Sequence, residues 1–143
     1  MSIEKNNPWF ISNSGLYVVT LNNSELISVN ADDPRRAESA LRVSKLNCKF
    51  GKAKNLSQRL KNYQKTFGEK NVNFHVIALV DEQELDLAET LVLTQLKEFR
   101  QRSPSNRVTE WLAGISSNAV ILLAHRQLNG VIKSYQQIVS VAF

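Results

Sequence analysis

Two oppositely charged segments in the middle of the chain hold the residues best suited to chemistry. Residues 45–70 carry eight basic side chains and one acidic side chain, a local charge of +7 in a chain whose net charge is +5. Residues 81–89 carry five acidic side chains and no basic one. A basic segment favours a polyanionic partner such as nucleic acid. On charge alone, a solvated surface face explains each segment equally well.

Glu89 is the acidic residue that a solvated face does not explain. A helix predicted over residues 82–102 has an apolar stripe at spacings of three and four, and Glu89 lies about 40° from its first member, Leu85. An unpaired buried carboxylate is costly, so Glu89 needs a cation, a metal or an internal salt bridge. The other acids fall elsewhere or near the helix start, where the helix dipole favours them. The stripe consists of Leu85, Ala88, Val92, Leu96 and Phe99.

The basic segment combines a strand end, a glycine turn and a helix start over residues 49–63. This arrangement can cradle a phosphate group. It is not a Walker P-loop, because that motif needs glycine where the chain has Leu46 and serine or threonine where it has Ala53. We therefore expect no nucleotide cofactor.

The elements that must position these residues follow from periodicity and punctuation. Asn55 and Gln58 predict a helix start, and Gly68 predicts its end. Asp33 and Pro34 predict the start of a short helix within residues 34–43. The predicted strands are 15–21, 46–51, 72–80, 108–112 and 131–143, and the remaining predicted helices are 56–67, 82–102 and about 117–128.

Length and composition limit the class of protein. The 143 residues are 43% apolar and 22% charged, as in an ordinary globular domain. We expect an N-terminal tail over 1–12 and one domain over 13–143, with an insertion at about 22–47. Lone Cys48 and two separated histidines exclude a disulfide framework and the usual zinc patterns. Neither a membrane span nor a signal peptide is apparent, so the sequence predicts a cytoplasmic protein without membrane contact.

Several short motifs occur in an order that resembles the GIY-YIG endonuclease superfamily. They are Gly15-Leu16-Tyr17 on a strand, Lys49-Phe50-Gly51 on the next strand, Arg59-Leu60 with Tyr63 on a helix, and Glu89 on a later helix. Residues 51–63 are especially similar to the nuclease domain of the bacterial nucleotide-excision-repair incision subunit. The initial Lys49 and the pair Glu110-Trp111 resemble the phage-type variant. The resemblance covers about residues 14–112.

The resemblance implies an α+β fold, a small three-stranded antiparallel sheet flanked by helices, with a metal-dependent phosphodiesterase site. Glu89 would hold one divalent cation, Mg²⁺ or alternatively Mn²⁺. Arg59 would bind the scissile phosphate and stabilise its developing charge. Tyr17 and Tyr63 would activate or orient the attacking water. Lys52 would be a second phosphate contact, and Lys54 and Lys61 would bind nucleic acid.

The chain departs from the superfamily pattern at two places. Lys49 replaces the tyrosine that begins the second motif, the proposed general base in many members. Either Tyr17 takes that role, with its phenolate favoured by Lys49, or catalysis is weak or absent. The 31 residues between the two motifs, 18–48, exceed the short hairpin of the simplest members. That insertion could recognise a target, contact a partner or only pack.

Three hypotheses follow. The first is a DNA endonuclease or nickase that hydrolyses phosphodiester bonds with metal-activated water. The second is a nucleic-acid-binding module of the same fold that does not cut. The third is a protein-interaction domain in which Arg59 and Glu89 form a structural ion pair. With one phosphodiesterase site per chain, a double-strand break would need a homodimer or two visits.

Overall fold

The computed structural model describes residues 13–142, with side chains through residue 138. The predicted tail, 1–12, therefore lies outside the described residues. Six strands form one antiparallel sheet in the order β6–β7–β4–β1–β5–β8. These strands are β1 (Gly15–Leu21), β4 (Asn47–Ala53), β5 (Val72–Leu79), β6 (Arg100–Arg102), β7 (Val108–Ala113) and β8 (Gln136–Ala142), and a separate ribbon pairs β2 (Ile27–Ser28) with β3 (Arg42–Val43).

The expected three-stranded sheet is wrong, because the sheet has six strands. The expected α+β class is confirmed, and β1 lies between β4 and β5. Both of those strands pair further: β7 pairs with β4, where Lys49 is opposite Trp111, and β8 pairs with β5. An unpaired strand edge exposes backbone donors and acceptors, so these additions cover both sides of the central three strands.

The helices begin and end largely where local signals predict. Within the described residues they are α1 (Leu56–Phe67), α2 (Glu82–Gln95) and α3 (Ser117–Leu128). The Asn55 side chain accepts a hydrogen bond from the backbone N–H of Gln58, and Gly68 follows α1 with φ of 95°. Ser116 caps α3 in the same way. Side-chain caps depend only on neighbours in the sequence, which is why these limits were predictable.

The helix predicted over 82–102 is too long. Helix α2 ends at Gln95, a 3-10 turn covers Lys97–Phe99, and β6 follows. In β6, Arg100 is opposite Leu112 of β7 and Arg102 is opposite Val108. This pairing satisfies backbone groups that a continued helix would have bonded internally, and only the tertiary structure provides the partner strand.

The helix predicted over 34–43 is also wrong. Residues 29–39 form a succession of turns, and β3 begins at Arg42. The Asp33 carboxylate accepts a hydrogen bond from the backbone N–H of Arg35, as an N-cap would, but only turns follow and no helix continues from it. Thr66 of α1 donates to the Asp32 carboxylate at 3.0 Å, which fastens this segment to α1.

Side chains on opposite faces of the sheet build two cores. On β1, Leu16 and Val18 contribute to the core beneath α2 and α3, whereas Tyr17 and Val19 contribute to the core beneath α1. This alternation follows the two-residue period of a strand. The α1 face also contains Tyr63 and Trp111. The predicted site residues are therefore split between the α1 face and the helix on the other side.

No helix in the described part of the chain combines the length and apolar character that crossing a membrane requires.

Candidate functional site

A pair of buried tyrosines forms the floor of the candidate site. The hydroxyl oxygens of Tyr17, on β1, and Tyr63, on α1, are 2.7 Å apart. The Tyr17 ring stacks on Phe74 with centroids 4.7 Å apart. A Cβ atom at Gly51 would lie 2.5 Å from the Tyr17 hydroxyl oxygen, so the glycine of the second motif leaves the room that this ring occupies. The first two sequence motifs and the helix motif thus meet in one cluster.

Burial keeps both tyrosines in their neutral form. Tyr17 is 1% exposed, and desolvation raises its pKa well above the ordinary value. Burial also raises the pKa of Tyr63 to about 12. The positive charge of Lys49 lowers the pKa of Tyr17, but this effect is smaller than the desolvation. Burial thus opposes the Tyr17 phenolate that Lys49 was expected to favour, and the neutral hydroxyl is the preferred form of both tyrosines.

Lys49 lies between an aromatic surface and a carboxylate. Its Nζ is 5.1 Å from the centroid of the Tyr63 ring and 6.0 Å from that of the Trp111 ring. The same nitrogen is 3.7 Å from Oε2 of Glu110. The residue that replaces the motif tyrosine thus places a cation beside the tyrosine pair. Sequence reasoning gave Glu110 no role, although its place next to Trp111 was a usable signal, since Trp111 is opposite Lys49 in the sheet.

Arg59 lies on α1, one turn before Tyr63, and its positive charge acts to lower the pKa of the Tyr63 hydroxyl, against the larger effect of burial. It borders two surface depressions. One contains Lys52, Lys54 and Asp86, and the other contains Lys49, Tyr63 and Glu110. A half-buried guanidinium between two depressions can bind a phosphate that spans them. The first turn of α1, with its capping Asn55, fixes the position from which Arg59 projects.

Glu89, on α2, has a side chain that is only 12% exposed. Its Oε1 is 3.3 Å from Nζ of Lys52, which also contacts Asp86 at 2.5 Å. Burial and the nearby Glu110 raise the pKa of Glu89, whereas Lys52 and Lys49 lower it. The expected cation beside Glu89 is present, but it is Lys52. The predicted ion pair of Glu89 with Arg59 is wrong for the described residues, in which Arg59 has no carboxylate within 4.0 Å.

The two remaining predicted nucleic-acid contacts, Lys54 and Lys61, lie at different places on the surface. Lys54 borders the same depression as Lys52 and Arg59. Lys61 is exposed on α1 and borders none of the three depressions described for residues 13–138. In that same part of the chain, no group of three or more His, Cys, Asp or Glu side chains is arranged to hold a metal ion. Glu89 therefore remains the predicted metal ligand, but it does not belong to a preformed cluster of ligating side chains in this part of the chain.

The fold and this surface define a small α+β domain with a cationic cleft, the depression that contains Lys49, Arg59, Tyr63 and Glu110. Residues 25–134 match the family model of the T5orf172 domain, which is more than half of the chain. The protein belongs to the T5orf172 domain family. The matched segment includes every candidate site residue except Tyr17. No curated protein and no solved structure matches the chain.

Proposed function

We propose that this T5orf172 domain is a metal-dependent DNA endonuclease or nickase of the GIY-YIG type. The observation that carries the proposal is a chain of neighbouring side chains. The Tyr17–Tyr63 pair lies beside Lys49, Arg59 borders the depressions that contain Lys49 and Lys52, and Lys52 contacts Glu89 on α2. The central order β4–β1–β5, with α1 following β4, suits the ordered motifs of that superfamily. Proteins that share only a fold need not carry this set of residue types, so the set supports the function as well as the fold.

Arg59 binds the scissile phosphate in this proposal. Its guanidinium has several N–H donors in a fixed fork that matches the oxygens of a phosphate. The positive charge opposes the extra negative charge that develops on the phosphate in the transition state. Lys54 adds attraction for the neighbouring phosphates from the same depression.

Glu89 fits a hard divalent cation by its donor type. Mg²⁺ is often held by one or two carboxylate oxygens, with water and substrate phosphate completing its shell. When bound, the ion would act as a Lewis acid on the phosphate and the leaving oxygen. Lys52 pairs with the Glu89 carboxylate, and its second contact, Asp86, offers Nζ a place to remain if Glu89 turns to a divalent cation.

Tyr63 is the tyrosine that meets the attacking water. It borders the cleft, whereas Tyr17 lies beneath it and holds the Tyr63 hydroxyl by the 2.7 Å hydrogen bond. Because both hydroxyls stay protonated, Tyr63 orients water as a neutral group and does not act as a phenolate base. Tyr17 is a positioning residue in this arrangement.

The second candidate function is binding of nucleic acid without cleavage. Two observations favour it: Lys52 already compensates Glu89, and Lys49 stands where the motif tyrosine is expected. Both features retain positive charge in the cleft and reduce its means of activating water. The same surface would then bind the DNA backbone and leave it intact.

Incubation of the purified protein with supercoiled plasmid and Mg²⁺ or Mn²⁺ tests the proposal. We expect the wild type to produce nicked circles and both Glu89→Gln and Arg59→Ala to slow nicking about 100-fold or more, as loss of one electrostatic stabiliser does elsewhere. Glu38→Gln is the matched control, since Glu38 is an exposed acid that borders none of the three depressions described. Wild-type nicking by the Glu89 variant would contradict the metal site.

Binding measured in EDTA, read together with the nicking assay, separates the two candidates. A nuclease and a binding module should both bind a labelled duplex with an affinity that falls steeply as salt rises. Binding without nicking under any divalent cation would establish the binding module. Absence of binding would contradict both.

A further inference from the structure

A third depression lies at the edge of the sheet, between the C-terminal part of α2 and β6. It has a volume of about 430 Å³. Lys97, Arg100 and Arg102 contribute its cations, and Leu93 and Val108 contribute apolar surface. The resemblance to nucleases assigned this region no role, because the predicted phosphate contacts all lie in the basic segment 45–70.

The cations of this groove are available to a ligand. Residues 97–107 contain four basic side chains and one acidic side chain. Among residues 13–138, no carboxylate lies within 4.0 Å of a charged nitrogen of Lys97, Arg100 or Arg102. Arg100 donates from Nε to the carbonyl of Thr109, and Arg102 donates from Nη1 to the carbonyl of Asn106. These bonds orient each guanidinium and leave further N–H groups free for an anion.

The groove continues from the candidate active site. Val108 borders both this groove and the depression that contains Lys49, Tyr63 and Glu110. Arg59 borders that second depression and the first, which contains Lys52 and Lys54. One path therefore runs from the proposed scissile phosphate across the start of β7 to the edge strand β6.

We propose that this groove binds the DNA strand that flanks the cleaved bond. Lys97, Arg100 and Arg102 contact successive phosphates, and the apolar surface of Leu93 and Val108 packs against sugar or base. A phosphodiester strand fits better than a single small anion, because the cations are spread along a path and lie beside an apolar wall. The inference rests on the proposed function, since the strand must leave the candidate active site in this direction.

The test uses fluorescence anisotropy of a labelled duplex of about 30 base pairs in EDTA, at several salt concentrations. We expect Lys97→Gln/Arg102→Gln to raise Kd about tenfold at 0.1 M salt and to reduce the slope of log Kd against log salt by about two. The matched control is Arg126→Gln/Lys133→Gln, which removes the same charges from exposed positions. Lys133 lies by Glu84 near the other end of α2, since its backbone N–H donates to that carboxylate.

Plasmid nicking then separates this inference from the proposed function. We expect the double variant to raise KM by a similar factor with kcat unchanged, whereas Glu89→Gln loses nicking and keeps its binding. Equal loss of affinity in the control variant, or no loss in the groove variant, would overturn the inference while leaving the proposed function intact. Failure of the wild type to bind DNA would overturn both.

Discussion

At the scale of single residues, the closest packing in the candidate site is between Gly51 and Tyr17. The absent side chain at Gly51 permits the Tyr17 ring to lie over β4, and that ring carries the hydroxyl that holds Tyr63. The glycine of Lys49-Phe50-Gly51 therefore has a packing reason. The same reasoning gives two predictions at this scale.

Gly51→Ala should displace the Tyr17 ring, because a Cβ atom 2.5 Å from its hydroxyl oxygen cannot be accommodated. We expect a loss of about 1–3 kcal/mol in the free energy of unfolding, typical of an overpacked core. Urea denaturation followed by circular dichroism measures it. In a Tyr17→Leu background, which removes the hydroxyl oxygen and the ring atoms nearest to that Cβ, Gly51→Ala should cost less stability than in the wild type; an equal cost would contradict the proposed contact.

Tyr63→Phe should slow nicking more than Tyr17→Phe does. The Tyr63 hydroxyl borders the cleft and would orient water, so its loss should cost about 100-fold in kcat, at the low end for such groups. Tyr17 acts through Tyr63, and its loss should cost about tenfold. Single-turnover nicking measures both variants. If Tyr17→Phe slowed nicking more than Tyr63→Phe, the attacking water would be oriented by Tyr17 instead.

At the scale of elements, α1 connects the sequence motif to the site. Its N-terminal cap fixes the first turn, Arg59 projects from the end of that turn, and Tyr63 and Phe67 pack its inner face on the sheet. The cap depends on residues that are neighbours in the sequence, whereas the packing depends on residues of the sheet that are distant in the sequence. Stability and site geometry should therefore respond together when the cap is removed.

Asn55→Ala should lower the free energy of unfolding by about 1 kcal/mol, the usual cost of a lost N-cap. Asn55→Ser keeps an acceptor for the Gln58 N–H and should restore most of that loss. Thermal unfolding of the three proteins provides the measurement. If the serine and alanine variants were equally destabilised, Asn55 would stabilise the protein by something other than capping.

At the scale of the whole molecule, the buried tyrosine pair should make stability depend on alkaline pH. Folding raises the pKa of Tyr17 and of Tyr63, the latter to about 12 from an ordinary 10.0. The unfolded chain then loses these protons first, so the folded state is favoured fully below about pH 10 and loses stability as pH rises from there through the folded pKa. Each tyrosine should cost roughly 1.4 kcal/mol per pH unit in that interval.

Urea unfolding between pH 9 and about pH 11 checks this expectation, because the unperturbed tyrosine pKa lies within that interval. Other groups titrate there too, so the informative quantity is the difference between the wild type and Tyr17→Phe/Tyr63→Phe. We expect the double variant to lose less stability as pH rises. Parallel curves for the two proteins would show that the pair does not ionise differently on unfolding.

Much of this protein follows from the sequence alone. The limits of β1 and α1, the cap at Asn55, the stop at Gly68 and the need of Glu89 for a cation all depend on near neighbours or on periodicity, which a sequence displays directly. The ordered motifs also group Tyr17, Arg59 and Tyr63 in one candidate site without any knowledge of their contacts.

Only the tertiary structure decided the rest. The six-stranded sheet, the early end of α2 and the turns at 34–39, which Thr66 holds to α1 through Asp32, depend on partners distant in the sequence. The same holds for the electrostatics: Lys52, not Arg59, reaches Glu89, and desolvation outweighs Lys49 at Tyr17. The physical reason is that burial and ion pairing depend on distances through space, which spacing along the chain does not fix.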